Sequence, residues 1–469
     1  MDTDGHGKAR VGFLGLMLQA YDASFPELRP YAEAFAGELA ATMAPFADVD
    51  FPGICNTRDA VEAAVQRFEA ADLDVIIVVL LTYAPSLIAL PALKATRLPI
   101  VIFNTQRAVT VPQDAPGSVL IENHGMHGVQ DLANVLLRAG VPFRIVTGHY
   151  RDHAAVSELE RHVRAAHAVH ALRRCRVGLL GYPMQDMGDF AVDETALLAQ
   201  VGAQVRRIPS AMVAELARRA PANEIEDMMA KDRATFEVDP ALSEDELRAS
   251  LRLEWALRAV AAEMHLDGLA VHFMAIDEER VLETLPFLAA SKMLADGYSY
   301  GGEGDVTSAV AGILMREIAG QANFTEMFTM DFEANAFVMA HMGEGNYRMA
   351  RRDRPVRLMR NPFSMVRLAY APASLSFAME PGEATIVSLT TGPQGRLRLV
   401  VSEGEVLDFA PLPGANNPQT KFAPRRPLRE FLTEFSLAGG SHHQALAYGS
   451  HSATIERIAE LLDLDCCLI

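Results

Sequence analysis

The sequence predicts an α/β protein with two Rossmann-like, doubly wound parallel-sheet domains, followed by a mainly antiparallel, barrel-like β domain. A short apolar run ending in glycine occurs twice, at residues 10–15 and 176–181, as expected for the first strand of a buried parallel sheet. Apolar runs and helical patterns alternate after each copy, which is typical of doubly wound sheets. From about Phe324, short alternating runs separated by Pro-Gly and Gly-Pro turns favour an antiparallel sheet.

The domain boundaries are placed where these patterns change. They give an N-terminal Rossmann-like domain over residues 1–172, a central one over 173–322 and a β-rich C-terminal domain over 323–469. A chain of 469 residues is too long for a single core, and about 150 residues per domain also suggests three domains.

The N-terminal domain is predicted to begin with a buried strand in the apolar run 11–18. Lys8 and Arg10 precede this run as in a secretory signal peptide, but Asp2 and Asp4 do not suit a positive n-region. Further strands are expected at 73–82, 98–104 and 143–148, and helices at 26–43, 58–71, 129–139 and 155–172.

The same periodicities predict the elements of the other two domains. In the central domain, helices are expected at 193–201, 244–264 and 278–295 and after Asp305, and strands at 203–208 and 266–273. In the C-terminal domain, strands are expected at 336–341, 384–390 and 396–401, and a helix at 455–464. The final Cys466-Cys467 pair matches a prenylation signal only by chance, because no polybasic segment precedes it.

Composition excludes several classes of protein. The formal charge is −18, from 60 acidic and 42 basic residues, and the absence of a basic block argues against a nucleic-acid partner. No apolar run has the length of about 18 residues that a membrane span needs. The 4 cysteines are too scattered for a disulfide framework. We therefore expect a cytoplasmic protein with neither a nucleic-acid nor a membrane partner.

The most unusual stretch is residues 297–305, Gly-Tyr-Ser-Tyr-Gly-Gly-Glu-Gly-Asp. It is predicted to be a loop that brings backbone and carboxylates close to a ligand or metal; a helix N-terminus simply capped by Asp305 is the alternative. Gly297, Ser299 and Gly301 also match the G-x-S-x-G pattern of serine hydrolases. That pattern needs a strand before the serine, whereas the preceding segment has helical periodicity, so a hydrolase is disfavoured.

Acids and histidines recur further along the chain. They are Glu326, Glu333, His341 and Glu344, followed much later by His442 and His443. Carboxylates and imidazoles from separate segments suit a divalent ion such as Mn²⁺. A structural role for His341 alone stays open, because an isolated histidine in a β-rich region is commonly structural.

Other segments could bind a substrate or a cofactor. His124 and His127 precede a predicted helix, where they would contact hydroxyl groups or cap the helix. The methionine-rich loop 184–187 follows the first strand of the central domain, where open α/β sheets bind ligands, although core packing explains it equally well. Neither glycine-ended strand continues as G-x-G-x-x-G, so a nicotinamide cofactor is unsupported.

At these residues the sequence resembles the L-arabinose isomerase family and, more distantly, the L-fucose isomerases. The motifs that agree, in the right order, are residues 123–128 with 146–150, residues 297–305, residues 324–326 with 340–342, and residues 438–443. Ordered agreement over most of the chain is far more specific than any single motif.

The resemblance implies a metal-dependent aldose–ketose sugar isomerase with the domain order predicted above. Two glutamates and two histidines hold Mn²⁺ or a similar divalent cation in that family, and they match Glu303, Glu326, His341 and His443. Glu303 and Glu326 are further implied to be the catalytic acid/base pair, which moves a proton between C1 and C2 through a cis-enediol. The alternative is a non-catalytic sugar-binding protein or sensor on the same scaffold.

The resemblance also implies a small sugar substrate and a homo-oligomer, a trimer or hexamer with active sites between subunits. Substrate-binding residues are expected at Gln19, His127, Met184 and His442, with the histidine matching His127 coming from a neighbouring subunit. The chain departs from the family in the first-strand motif around Gln19 and at Phe328, which lies near the place of an aromatic hydroxyl. Because buried polar groups must be matched by substrate hydroxyls, these departures predict an altered sugar specificity.

Overall fold

The computed structural model describes residues 7–469. Its contacts divide the chain into an N-terminal unit that ends at His170 and a C-terminal unit that runs from Ala171 to Ile469. The predicted domain boundaries remain predictions, whereas the predicted fold class is confirmed by the sheets described below. Every helix within residues 7–469 is too short or too polar to cross a membrane.

The N-terminal unit is built on a parallel sheet. Its strands are β1 (Ala9–Leu16), β2 (Ala47–Asp50), β3 (Val75–Leu80), β4 (Ile100–Asn104) and β5 (Arg144–Thr147). The helices are α1 (Tyr21–Ser24), α2 (Leu28–Met43), α3 (Arg58–Ala70), α4 (Leu90–Ala95), α5 (Val119–Glu122), α6 (Gly125–Arg138) and α7 (His153–Leu172). The strand order β2-β1-β3-β4-β5 is that of a doubly wound sheet. The central strand β3 is buried at every residue, which explains its continuous apolar sequence.

The first sheet of the C-terminal unit is also parallel. Its strands are β6 (Arg176–Leu180), β7 (Gln204–Ile208), β9 (Gly268–Val271) and β10 (Ser299–Gly302), and a short strand, β8 (Glu237–Val238), lies outside this sheet. The helices are α8 (Glu194–Gln200), α9 (Ser210–Arg219), α10 (Ala222–Thr235), α11 (Glu244–Glu263), α12 (Phe273–Glu279), α13 (Phe287–Ala295) and α14 (Val306–Ala319). The strand order is β10-β9-β6-β7. The first strand, β6, therefore has a neighbouring strand on each side, as β1 has in the first sheet.

The second sheet of the C-terminal unit is mainly antiparallel. Its strands are β11 (Asn323–Asp331), β12 (Ala336–Ala340), β15 (Gly382–Thr391), β16 (Leu397–Val406), β17 (Gln419–Pro424), β18 (His443–Tyr448) and β19 (Asp465–Leu468). Between them lie β13 (Arg357–Arg360), β14 (Ala373–Ser376), α15 (Leu428–Leu437) and α16 (Ser452–Leu462). In the order β15-β18-β11-β12-β17-β16, a further pairing of β15 with β16 closes a barrel, and β19 adds to β16. The strands β14, β13 and β8 form a small separate sheet.

The glycine repeated in the first strand of each parallel sheet has a packing role. A Cβ atom at Gly12 would lie 2.6 Å from the Phe68 ring, and one at Gly178 would lie 2.6 Å from the Cδ1 atoms of Ile208 and Leu266. Any larger residue at either position would collide with the apolar layer above the strand. The sequence repeat therefore marks two places where core side chains pack directly on the backbone.

Two predictions for residues 278–305 need correction. The helix expected at 278–295 is interrupted, because Arg280 ends α12 with a left-handed φ of 52° and Pro286 directly precedes α13. Within the loop expected at 297–305, residues 299–302 form strand β10, whose glycines approach neighbouring elements closely. Ser299 is the first residue of that strand and is buried. It does not lie in the turn between the strand and the next helix, so it is not placed as the serine of a nucleophile elbow.

A buried ion pair joins the helices of the C-terminal unit. Lys292 Nζ on α13 lies 2.9 Å from Asp232 Oδ1 on α10 and 2.7 Å from Glu254 Oε2 on α11. Both carboxylates are 2% exposed. Burial opposes the charge on the lysine, yet the two carboxylates raise the pKa of Lys292 above its ordinary value. The three helices are thus held together by charges that depend on one another.

Replacing Lys292 by Met is expected to lower the free energy of unfolding by about 3 kcal/mol or more, because it leaves the buried Asp232 without its cation and Glu254 with Arg258 alone. Chemical denaturation of both proteins measures the change. The matched control is Arg248→Met, which removes an ion pair between Arg248 and Glu226 at the surface and should have a much smaller effect. Equal losses in the two variants would contradict the assigned role of Lys292.

Another buried carboxylate, Asp74, directly precedes β3 and connects it to β1 and α7. It accepts hydrogen bonds from the backbone N–H of Arg10 at 2.7 Å and from Nδ1 of His167 at 2.8 Å, and it also pairs with His170. Burial alone would raise the pKa of Asp74, but these partners outweigh it and hold the pKa well below the usual 3.8.

Because the folded-state pKa is depressed, Asp74 stabilises the unit at pH values above its ordinary pKa, and this contribution disappears as the pH falls. We expect Asp74→Asn to lower the free energy of unfolding by about 2 kcal/mol at about pH 7 and by progressively less below about pH 4. Calorimetric unfolding at several pH values tests this. The exposed Asp48, changed to Asn, serves as the control; a cost for Asp74→Asn that does not vary with pH would be evidence against the depressed pKa.

Candidate metal centre and active site

Four predicted ligands come together in the C-terminal unit through the pairing of β11. Glu326 on β11 lies opposite Ala340 of β12 on one side and His443 of β18 on the other. His341 directly follows Ala340. Glu303 enters from the turn between β10 and α14. Register in the antiparallel sheet therefore places three of the side chains, and the parallel sheet supplies the fourth.

The unpaired atoms of these side chains face one another. Glu326 Oε2 lies 3.5 Å from His443 Nε2 and 3.7 Å from His341 Nε2, and Glu303 Oε2 lies 3.7 Å from His443 Nε2. These separations are too long for hydrogen bonds but suit ligands that each lie about 2.1 Å from one ion. Glu303 Oε2, His341 Nε2 and His443 Nε2 are buried without a hydrogen-bond partner within residues 7–469. Two triads could each hold a metal ion: Glu326, His341 and His443, and Glu303, His443 and the neighbouring His442.

Carboxylates behind two of the imidazoles fix the orientation of the rings. His341 Nδ1 lies 2.8 Å from Glu344 Oε2, and His443 Nδ1 lies 3.0 Å from Asp305 Oδ2. All of these residues are buried. A hydrogen bond at Nδ1 selects the tautomer that leaves Nε2 free as a ligand, as is usual for metal-binding histidines.

A third imidazole, His442, lies beside the cluster. Its Nδ1 is 2.7 Å from Asp189 Oδ2, and its Nε2 is 3.6 Å from Glu303 Oε2. Its side chain is 37% exposed, whereas that of His443 is fully buried. His442 is therefore the most exposed of the three imidazoles at the site.

The turn that carries Glu303 has an unusual backbone. Glu303 has a left-handed φ of 58° and Gly304 a φ of 77°, and a non-glycine residue in this region is strained. Asp305 then caps α14 by accepting a hydrogen bond from Ser308 N at 2.9 Å. The Glu303 carbonyl accepts a hydrogen bond from Met184 N at 2.9 Å. Neighbouring contacts thus hold the strained turn in place.

The electrostatics of the site favour positive charge. Burial disfavours the charged imidazole, but Asp305 and Glu326 raise the pKa of His443 to about 9. Asp189 and Glu303 similarly outweigh burial and raise the pKa of His442 to about 10. The histidines in turn overcome the effect of burial on Glu303 and lower its pKa. The surrounding carboxylates therefore attract a cation to the centre.

Aromatic rings and glycine shape the walls. Phe190 stacks on His443 at 5.5 Å between ring centroids, and Phe324 packs edge-on against His341 at 4.8 Å. A Cβ atom at Gly302 would lie 2.5 Å from Cε1 of His341. The glycine predicted to bring the backbone close to a ligand instead makes room for the His341 ring.

The predicted substrate-binding residues lie in both units. In the C-terminal unit, Met184 contacts Glu303 through its backbone, and His442 has the contacts described above. In the N-terminal unit, Gln19 is exposed in the turn after β1. His127 lies within α6 rather than before it, with Nδ1 at 2.9 Å from His124 Nε2. Phe328 on β11 is 56% exposed.

Three carboxylates at the site were not assigned these roles from the sequence. Asp305 was interpreted as a helix cap, and Glu344 as one of several acids. The spacing of Glu344 three residues after His341 was the one available signal. Asp189 is one of several acids in an irregular loop, and nothing in the sequence pattern distinguishes it.

Comparisons with known proteins identify the family. Family models for the L-arabinose isomerase N-terminal, central and C-terminal domains match residues 23–174, 179–321 and 321–465. The L-arabinose isomerase of Geobacillus thermodenitrificans is 26% identical over 403 residues, covering 83% of this chain and 79% of that protein. The enzyme of that name from Aeromonas hydrophila is 27% identical, covering 82% and 77%. L-arabinose isomerase 1 of Bacillus licheniformis is 25% identical, covering 90% and 86%.

Among solved structures, the chain matches the periplasmic binding protein component of an arabinose ABC transporter from Shewanella sp. ANA-3. That match is 14% identical and covers 62% of this chain and 79% of the other. Its TM-score of 0.14 is too low to support a relationship. The three domain models together span nearly the whole chain. The chain therefore belongs to the L-arabinose isomerase family and is an aldose–ketose isomerase.

Proposed function

We propose that this protein interconverts an aldose and a ketose through a cis-enediol, using Mn²⁺ or a similar divalent cation held by Glu303, Glu326, His341 and His443. The observation that carries the proposal is the set of buried, unpaired ligand atoms that face one another. The substrate is a free pentose, deoxyhexose or hexose, and L-arabinose is the first candidate because the relatives carry its name.

The donor set fits such an ion. Carboxylate oxygens suit Mn²⁺, and imidazole nitrogens are accepted by most first-row divalent metals. When bound, the cation supplies Lewis-acid stabilisation of the negative charge that develops on the sugar oxygens as a carbon-bound proton leaves. Glu344 and Asp305 orient the two histidines from behind, which preserves the geometry when the substrate enters.

The protein residues carry the protons. In the aldose-to-ketose direction, one carboxylate of the Glu303/Glu326 pair takes the proton from C2, and O1 gains a proton to give the enediol. The proton on O2 is then lost to the second group, and C1 receives a proton, which leaves the carbonyl at C2. Both carboxylates must be close to C1 and C2 for this exchange, and Glu326 is the more exposed, at 21% for its side chain. General acid–base catalysis of this kind requires direct reach of the proton.

The remaining features of the proposal concern the surroundings of the site. His442 and Met184 contact the sugar from the C-terminal unit. Gln19 and His127 are the other sugar contacts, and His127 belongs to a neighbouring subunit in a homo-oligomer, a trimer or hexamer. The protein acts in the cytoplasm. A non-catalytic sugar sensor is not favoured, since the family is one of isomerases and a sensor has no need for a second carboxylate at the metal.

Metal removal is expected to abolish isomerisation, and Mn²⁺ is expected to restore it. Metal-depleted protein is incubated with aldoses and ketoses in D₂O, with and without Mn²⁺, and NMR follows ketose formation and deuterium uptake at C1 of the ketose and at C2 of the aldose. Metal-dependent conversion with deuterium uptake supports the enediol route. Turnover that is unaffected by chelation would contradict the role of the metal, and conversion without deuterium would indicate a shielded proton or a hydride shift.

Glu326→Gln is expected to lower kcat by about 100-fold or more, because the amide cannot take up a proton at the reacting carbon. The assay is run at saturating Mn²⁺, and calorimetric titration checks that the ion still binds. Glu333→Gln changes an exposed residue just after β11 and serves as the matched control. Wild-type activity in the Glu326 variant would show that the acid/base pair is wrongly assigned.

A further inference from the structure

We propose that Asp189 is a positioning residue, which holds the imidazole of His442 with Nε2 directed toward Glu303 so that His442 meets a substrate oxygen in a fixed orientation. The inference rests on the proposed function, and it assigns a role to a residue outside the sequence motifs. It is argued from three features: the contacts of Asp189, the anchoring of its loop, and the exposure of His442.

A single carboxylate oxygen holds both the backbone and the ring of His442. Asp189 Oδ2 accepts hydrogen bonds from His442 N at 3.1 Å, from His442 Nδ1 at 2.7 Å and from Ser441 Oγ at 3.0 Å. The bond to the backbone fixes the position of the residue, and the bond to Nδ1 fixes the ring rotation and the tautomer. Nε2 is left 3.6 Å from Glu303 Oε2. Removing Asp189 would release all of these constraints at once.

The loop that carries Asp189 is itself anchored to the barrel. The Asp189 carbonyl accepts a hydrogen bond from Thr390 Oγ1 at 3.4 Å. The next residue, Phe190, is buried and stacks on His443 at 5.5 Å between ring centroids. The carboxylate is thus presented from a fixed backbone, which is what a positioning group needs.

Exposure separates His442 from the other imidazoles. The side chains of His341 and His443 are 1% and 0% exposed, whereas that of His442 is 37% exposed. Each of the three rings has a carboxylate at Nδ1. In two cases the pair presents Nε2 to the buried centre. In the third, Nε2 lies 3.6 Å from Glu303 Oε2 on a ring that is partly exposed, which a sugar hydroxyl or carbonyl oxygen can approach.

The test compares Asp189→Ala with the wild-type protein at saturating Mn²⁺. We expect kcat to fall about 10- to 100-fold, the range in which a misplaced acid–base or hydrogen-bonding group acts, while Mn²⁺ affinity stays unchanged. Asp189→Asn should recover part of the loss, because its amide oxygen can still accept one hydrogen bond. The matched control is Asp193→Ala in the same loop, which removes the cap of α8 and should lower Tm without changing kcat.

A double-mutant comparison separates positioning from loop stability. In the His442→Gln background, Asp189→Ala should have no further effect on kcat, because the group that it positions is already gone. Additive losses, or a loss of Mn²⁺ binding that parallels the loss of activity, would overturn the proposal. Crystal structures add a measure independent of turnover: the His442 ring should rotate in Asp189→Ala, and an unmoved ring would also overturn it. Absence of turnover in the wild-type protein would instead count against the proposed function.

Discussion

Hydrogen bonds between an imidazole Nδ1 and a carboxylate behind it hold the candidate site in its arrangement. At His341 and His443 these bonds are 2.8 and 3.0 Å long, and both partners are buried. An unpaired imidazole could rotate and present either nitrogen, whereas the paired ring presents Nε2 alone. The carboxylates of Glu344 and Asp305 also add negative charge around the centre, so orientation and attraction for a cation arise from the same residues.

The fold brings these pairs together by joining two kinds of sheet. The parallel sheet supplies Glu303 at the carboxyl end of β10, where open α/β sheets place their ligands. The barrel supplies Glu326 from β11, between the strands that lead to His341 and His443. The closed barrel has its strands hydrogen-bonded on both sides, and this fixes their register more firmly than an open edge would.

Much of the fold was predictable from the sequence, because long periodic segments such as α11 and the buried strand β3 depend on local pattern. Short elements that carry the site were not: β11 and β18 were missed, since Glu326 lies within β11 and the polar residues His443 and Gln444 begin β18. Strand β10 was predicted to be a loop because its glycines serve close packing, Gly301 against the backbone of Asp305 and Gly302 against His341, rather than a turn. Asp189 was out of reach of any local pattern, because its partner lies 253 residues away along the chain.

The left-handed backbone at Glu303 has a consequence for the history of the chain. Glycine adopts a φ of 58° without the steric cost that a side chain brings, so Glu303→Gly would relieve strain at this turn. Selection for thermal stability alone would therefore favour loss of the carboxylate. Persistence of an acid there depends on selection for what the carboxylate does, and a stability-driven redesign of this protein should hold position 303 fixed.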